Sequence, residues 1–205
     1  MVTATSAFSF VSQGGITEAT WSTVNSDSLT SSAYGFQNDV LTMAGVQYSS
    51  GARLSGSILT DTPADPTLTL GSTVNNDTGN PWLGYKVNVV MDQPFTFSTP
   101  GPTVSNPTAN DWFVASVISP TLQSGGPYAG KYEGTLLFSE GTPVVVGGTL
   151  DWTYSINFGS STDYSFTQEM IPLFTPIPEP SALALLGMGG LVLGWRLARR
   201  PRHVA

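Results

Sequence analysis

The sequence contains no cysteine, which excludes disulfides, thiolate metal sites and cysteine nucleophiles together. Its one histidine, His203, stands beyond the last basic residue. A Ser-His-Asp triad, a Cys-His pair and a histidine zinc site are therefore excluded from everything upstream. GxGxxG, P-loop and HExxH patterns are also missing. Charge is scarce at 10% of residues, and before position 181 the only basic side chains are Arg53, Lys86 and Lys131, against all 14 acidic ones. Such an acidic body repels phosphate backbones, so nucleic acid is excluded as a partner.

What is present is glycine, proline, serine, threonine and asparagine, together with five Trp, seven Tyr and ten Phe. That much aromatic surface can offset the entropy of ordering the chain, and the turn-forming and β-forming composition makes the body all-β. From Trp152 to Phe158 large apolar and small polar residues alternate, which marks a strand with one buried face. Tyr85, Val87, Val89 and Met91 alternate with Lys86, Asn88 and Asp92 in the same way, with Phe95 and Phe97 continuing after Pro94. Tyr132, Leu136 and Phe138 repeat the pattern, as do Tyr164 and Phe166. Trp112 to Ile118 is apolar on both faces and predicts a central strand. Val40 to Tyr48 and Arg53 to Leu59 predict a hairpin through Ser49-Ser50-Gly51. Eight to ten short strands, punctuated by turn clusters and showing no internal repeat, predict a single β-sandwich over residues 8–174, of jelly-roll or immunoglobulin-like character.

Candidate sites in this body are few. Glycosidase-like chemistry could use a pair among Glu18, Glu133, Glu140 and Glu169, which otherwise read as solvated strand residues. Calcium is a candidate ligand for two oxygen-bearing turns, one with Asn75 and Asp77 and one with Asp61 and Asp65, though neither has EF-hand spacing and both suit ordinary turns. Trp21, Trp82, Trp112, Tyr128 and Tyr132 could form a platform for sugar rings or fill the core. Tyr128, within Gly125-Gly126-Pro127-Tyr128-Ala129-Gly130, is the one expected on an exposed loop, and Trp82 is the second candidate glycan contact.

The last segment, 175–205, has a different composition. Ala182 to Trp195 carries no charged or strongly polar side chain, and Arg196, Arg199, Arg200 and Arg202 follow. As a helix that run is about 21 Å long, so it needs Ser181 and Leu197 to approach the roughly 30 Å of a hydrocarbon core. A C-terminal transmembrane helix over 181–197 is expected, with the basic end 196–205 in the cytoplasm and the body across the membrane. Just upstream stand Pro178, Glu179 and Pro180, where two prolines favour an extended segment.

This ordered combination resembles the PEP-CTERM sorting signal. The resemblance implies that Pro178, Glu179 and Pro180 are recognised by an exosortase, a membrane-embedded processing enzyme. It implies an inner-membrane-anchored protein that reaches the cell surface or extracellular matrix after cleavage, in association with exopolysaccharide and biofilm material. The expected function is thus that of a noncatalytic exported protein, with a carbohydrate-binding module as the alternative and a carboxylate-dependent glycan hydrolase or lyase as the third reading. At the other end, residues 1–7 lack the basic and apolar regions of a signal peptide, but Thr5-Ser6-Ala7 has the small residues of a cleavage site. They read as the remnant of an export signal that starts upstream, the alternative being that the C-terminal helix alone targets the chain.

Overall fold

The computed structural model describes residues 15–174, except 64, 65, 110 and 140. Eleven strands run in chain order: β1 (Ile16–Thr23), β2 (Leu29–Gln37), β3 (Val40–Gln47), β4 (Ala52–Thr60), β5 (Thr67–Asn76), β6 (Gly84–Met91), β7 (Phe95–Ser105), β8 (Phe113–Leu122), β9 (Tyr132–Ser139), β10 (Thr149–Phe158) and β11 (Asp163–Leu173). They form a six-stranded sheet of order β1-β4-β11-β6-β9-β8 and a five-stranded sheet of order β2-β3-β5-β10-β7. All pairings are antiparallel except β3 with β5. Among the described residues the only helical turn is 3-10, Gly126–Tyr128, and no helix is long and apolar enough to cross a membrane. The transmembrane helix expected over 181–197 lies outside the described residues, as do residues 1–7.

Period-two alternation puts one face of each sheet inside. Along β10, Trp152, Tyr154, Ile156 and Phe158 point inward, and along β6 so do Tyr85, Val87, Val89 and Met91, all essentially buried. Each such side chain contributes about 1.5–3 kcal/mol through removal of its surface from water. The two inner faces meet through aromatic contacts, with the rings of Tyr85 and Trp152 centred 4.9 Å apart. They also meet through two polar cross-links. Tyr85 donates its hydroxyl to Gln47 Oε1, and Gln47 Nε2 donates to the Met170 carbonyl at 3.2 Å. Tyr154 donates to Gln168 Oε1 at 2.6 Å, and Gln168 Nε2 donates to Ser72 Oγ at 3.2 Å. In each pair the tyrosine comes from one sheet and the glutamine from the other, so these four side chains satisfy one another across the layer.

Two sequence expectations are corrected. β3 and β4 do not form a hairpin, because the connection between them crosses from the five-stranded to the six-stranded sheet. Sheet faces lie about 10 Å apart, a gap that the residues from Tyr48 to Gly51 can span. The strand at Trp112 to Ile118 is not central: β8 is an edge strand, with Phe113, Val117, Ile118 and Leu122 exposed. Register shifts between Val114 and Ser116 and between Ile118 and Thr121 change the phase of its side chains, which is why apolar residues fall on both faces.

Candidate functional site

The outer face of the six-stranded sheet carries the most organised polar cluster of the described residues. Strand register aligns Arg53 on β4 with Glu169 on β11, Glu169 with Asn88 on β6, and Asn88 with Thr135 on β9. All four project outward because their neighbours Leu54, Gln168, Met170, Val87, Val89 and Leu136 project into the core. Arg53 donates through Nε and Nη2 to Glu169 Oε1, at 3.0 and 2.9 Å. Asn88 Nδ2 donates to Glu169 Oε2 at 3.3 Å, and Thr135 Oγ1 donates to Asn88 Oδ1 at 2.9 Å. The result is a hydrogen-bonded row across four strands. Hydrogen bonding to Glu169 holds the Arg53 guanidinium above its usual ionisation range.

Tyr128 covers this row. It belongs to the connection between β8 and β9, yet the Arg53 guanidinium carbon lies 5.9 Å from the centre of its ring. The Arg53 guanidinium sits at Glu169 on β11, two strands or about 10 Å from β9, so the connection carries Tyr128 back across β6 to meet it. Left-handed glycines on either side, Gly126 (φ 77°) and Gly130 (φ 79°), allow the turn that this requires. In keeping with such a cover, Asn88 and Val90 face outward but are only 6% and 1% exposed. This corrects the expectation that Asn88 lies on a wet face. The Tyr128 hydroxyl is itself buried and has no hydrogen-bond partner. Burial pushes its ionisation up, and the Glu169 and Glu133 carboxylates add to that shift against the opposing effect of Arg53.

Beside the row lies a patch of hydroxyls. Thr20 and Ser22 on β1 face Ser57 and Ser55 on β4, which face Ser165 and Thr167 on β11. Within this patch Thr20 and Ser57 share a hydrogen bond of 3.1 Å, while Ser22, Ser55, Ser57 and Ser165 are exposed. Chemically the surface offers an aromatic ring, a guanidinium and uncharged hydroxyls, while the Tyr128 hydroxyl, with Glu133 near it, and the Asn88 amide lie beneath.

The structure gathers some of the sequence-derived candidates and scatters the rest. Tyr128, Glu133 and Glu169 come together. Glu18 is on β1, opposite Leu59, and Glu140 lies outside the described residues. The aromatic platform is a correction. Trp82 is 0% exposed, packs its ring 5.0 Å from that of Tyr85, and donates Nε1 to Thr78 Oγ1 at 3.0 Å, so it offers no face to a sugar. Trp21 and Trp112 are buried as well, Trp112 donating to the Thr142 carbonyl, and Tyr132 packs against the core. Of the calcium candidates, Asn75 and Asp77 stand at one end of β5 and Asp61 precedes its other end, about 30 Å away, so the two turns cannot share an ion. Asp65 lies outside the described residues. Among the described residues no group of three or more His, Asp or Glu side chains could hold a metal. The row around Arg53 and Glu169 was not anticipated. Its one signal was Arg53 itself, an isolated cation in an acidic body.

Residues 176–200 match the family model described as the PEP-CTERM protein-sorting motif. The match confirms the resemblance and covers the tail alone, leaving the sandwich unassigned. It contains Pro178, Glu179, Pro180, Arg196, Arg199 and Arg200, while Arg202 falls past its end. All seven lie outside the described residues. A signal of this kind implies handling by an exosortase-type enzyme, association with a membrane and delivery to the cell surface. No curated protein and no solved structure matches the chain.

Proposed function

We propose that the chain is an exported surface protein whose tail carries a noncatalytic β-sandwich across the membrane, is cleaved near Pro178-Glu179-Pro180, and leaves the sandwich associated with exopolysaccharide. The observation that carries this reading is the sorting-motif match, which begins at residue 176, directly after β11 ends at Leu173. The four arginines, by the positive-inside tendency, keep the extreme C-terminus cytoplasmic and the sandwich outside. The polysaccharide contact is the outer face of the six-stranded sheet, where the exposed serine hydroxyls and the Tyr128 ring match the alternating polar and apolar surfaces of a sugar.

The arrangement of Glu169 supports a binding role over a catalytic one. Its two oxygens receive three N–H donors, from Arg53 and Asn88, so its lone pairs are already committed within the row. A row whose members satisfy one another presents a fixed shape, and the exposed serines beside it supply the hydroxyls a ligand could reach. Retention of the released domain on a panel of bacterial polysaccharides tests this. Wild-type protein is expected to be retained on at least one of them and Tyr128→Ala to lose most of that retention. Absence of retention on every glycan overturns the binding role, and appearance of new reducing ends overturns the noncatalytic one. In cells, replacing Glu179 by Gln should leave the protein in the membrane fraction. An unchanged distribution refutes cleavage at the motif.

A further inference from the structure

Six of the eleven large apolar residues that are exposed among the described residues lie at one end of the sandwich. β11 finishes at Leu173, and its carbonyl accepts from Leu83 N at 2.8 Å. Trp82 and Val144 exchange backbone hydrogen bonds of 2.9 and 3.0 Å, Gly147 N donates to Asn76 O at 2.7 Å, and Asp77 N donates to Gln47 O at 2.9 Å. Tyr48 N donates to Ser28 O and Val24 N to Arg53 O, each at 2.9 Å. These bonds tie the loops of 24–28, 48–51, 77–83 and 141–148 into one surface around the chain's exit, and Phe113, which opens β8 opposite Ser139, borders it. Val24, Tyr48, Phe113, Val145, Val146 and Phe174 project there, each 40–58% exposed. Among the described residues, Val40, Leu59 and Leu122 are comparably exposed toward the opposite end, and Val117 and Ile118 midway along the edge strand β8.

The exit point and the length of the remaining chain argue for what covers this surface. Between Phe174 and the apolar run that begins at Ala182 there are only residues 175–181, a tether of under about 30 Å even when fully extended. That is no longer than a ten-residue strand of the sandwich, so an anchored domain has this end held against the bilayer. Tethering raises the effective concentration of the lipid surface, and a few apolar contacts then suffice for docking. These loops contain Asp27 and Asp77 and, among the described residues, no Lys or Arg, while Arg53 beside them is paired with Glu169, so electrostatics do not hold the domain to an anionic membrane once the tether is gone.

We propose that this end of the sandwich rests on the lipid surface while the tail is in place, with Val145, Val146, Phe113 and Phe174 at the headgroup–acyl boundary. The contact is released when the tail is cut. The proposal rests on the anchored reading given above, and one experiment separates the two. The absence of native cysteine allows clean labelling of Val145→Cys at the docked end and Val40→Cys at the far end with an environment-sensitive fluorophore. The full chain is reconstituted into phosphatidylcholine vesicles with and without a doxyl quencher on the acyl chain. The expected result is a blue-shifted Val145 label that loses most of its emission to the quencher, beside an unshifted and unquenched Val40 label. Protein that floats with the vesicles but leaves both labels unquenched overturns the docking and spares the anchor. A Val145 label that is blue-shifted yet unquenched shows a second copy covering the surface, and it also overturns the docking. Failure of the protein to float with the vesicles overturns both readings.

Discussion

Replacing Tyr154 by Phe removes one oxygen and tests how the two sheets are held together. That hydroxyl donates to Gln168 Oε1 at 2.6 Å, and Gln168 is fully buried, with its amide committed to Ser72 Oγ. The variant loses a hydrogen bond and leaves Gln168 Oε1 without a partner, at a cost of about 2 kcal/mol. For a domain of this size that lowers the melting temperature by about 4–8 °C, with the urea m-value unchanged because the surface exposed on unfolding is the same. Combining Tyr154→Phe with Gln168→Leu should cost less than the sum of the single changes, since the orphaned acceptor is then gone. The same tyrosine gives a second readout. Burial raises the ionisation of both Tyr154 and Tyr85 above the ordinary value of 10.0. The folded state therefore keeps both protons at a pH where the unfolded chain has lost them. Stability is fully present below about pH 10 and falls above it, by about 1.4 kcal/mol per pH unit for each tyrosine. Tyr154→Phe should remove one tyrosine's share of that alkaline slope, about 1.4 kcal/mol per pH unit. A variant that melts with the wild type and shows the wild-type slope, followed by near-ultraviolet circular dichroism, refutes the cross-link.

Two further substitutions test local geometry. A Cβ on Gly56 would lie 2.0 Å from the Thr20 carbonyl oxygen and 2.6 Å from the Phe166 ring, and since the β1 backbone has to move, Gly56→Ala should cost about 3 kcal/mol. An unchanged urea midpoint refutes that packing. Asn38 and Asp39 form the two-residue turn between β2 and β3 with φ of 52° and 58°, and Asp39 Oδ1 is buried without a partner. Asp39→Gly relieves the left-handed strain and the orphaned oxygen, so it should stabilise by about 1 kcal/mol despite the extra freedom of the unfolded chain, and a lowered melting temperature counts against this.

The strands that could be read from the sequence are those that run without interruption. β10 keeps strict alternation and β6 departs from it only at Val90, and their inward faces are the ones expected. β8 was misplaced because its bulges reset the alternation, and the β2–β3 turn escaped notice because Asn38-Asp39 lacks the glycine that usually marks a tight hairpin. Alternation also says which face of a strand is buried and nothing about its neighbours, so β3 and β4 looked like a hairpin while belonging to different sheets. The site follows the same logic. Its turn chemistry placed Tyr128 on a loop, but the burial of its hydroxyl over the row could not be read from that loop. The ion pair of Arg53 with Glu169 joins residues 116 positions apart and depends on β4 lying beside β11, which no local pattern encodes. Trp82 misled because it follows a turn in sequence while its ring enters the core.

The buried polar cross-links gain their meaning from the poverty of charge elsewhere. Strands such as β4 and β11 are rich in serine and threonine, and with so few charged pairs on the sheet faces, little there penalises a neighbouring strand that slides along. An apolar core tolerates such a shift more readily than a hydrogen bond does. Tyr85 must meet Gln47 and Tyr154 must meet Gln168, each pair bridging the layer, so a two-residue slip on either sheet would strand four buried polar groups at about 1–3 kcal/mol each. That total rivals the whole stability of an ordinary domain. The cross-links therefore act chiefly by excluding alternative registers, a role that disulfides or dense surface ion pairs fill in other sandwiches and that this cysteine-free chain assigns to two tyrosines and two glutamines.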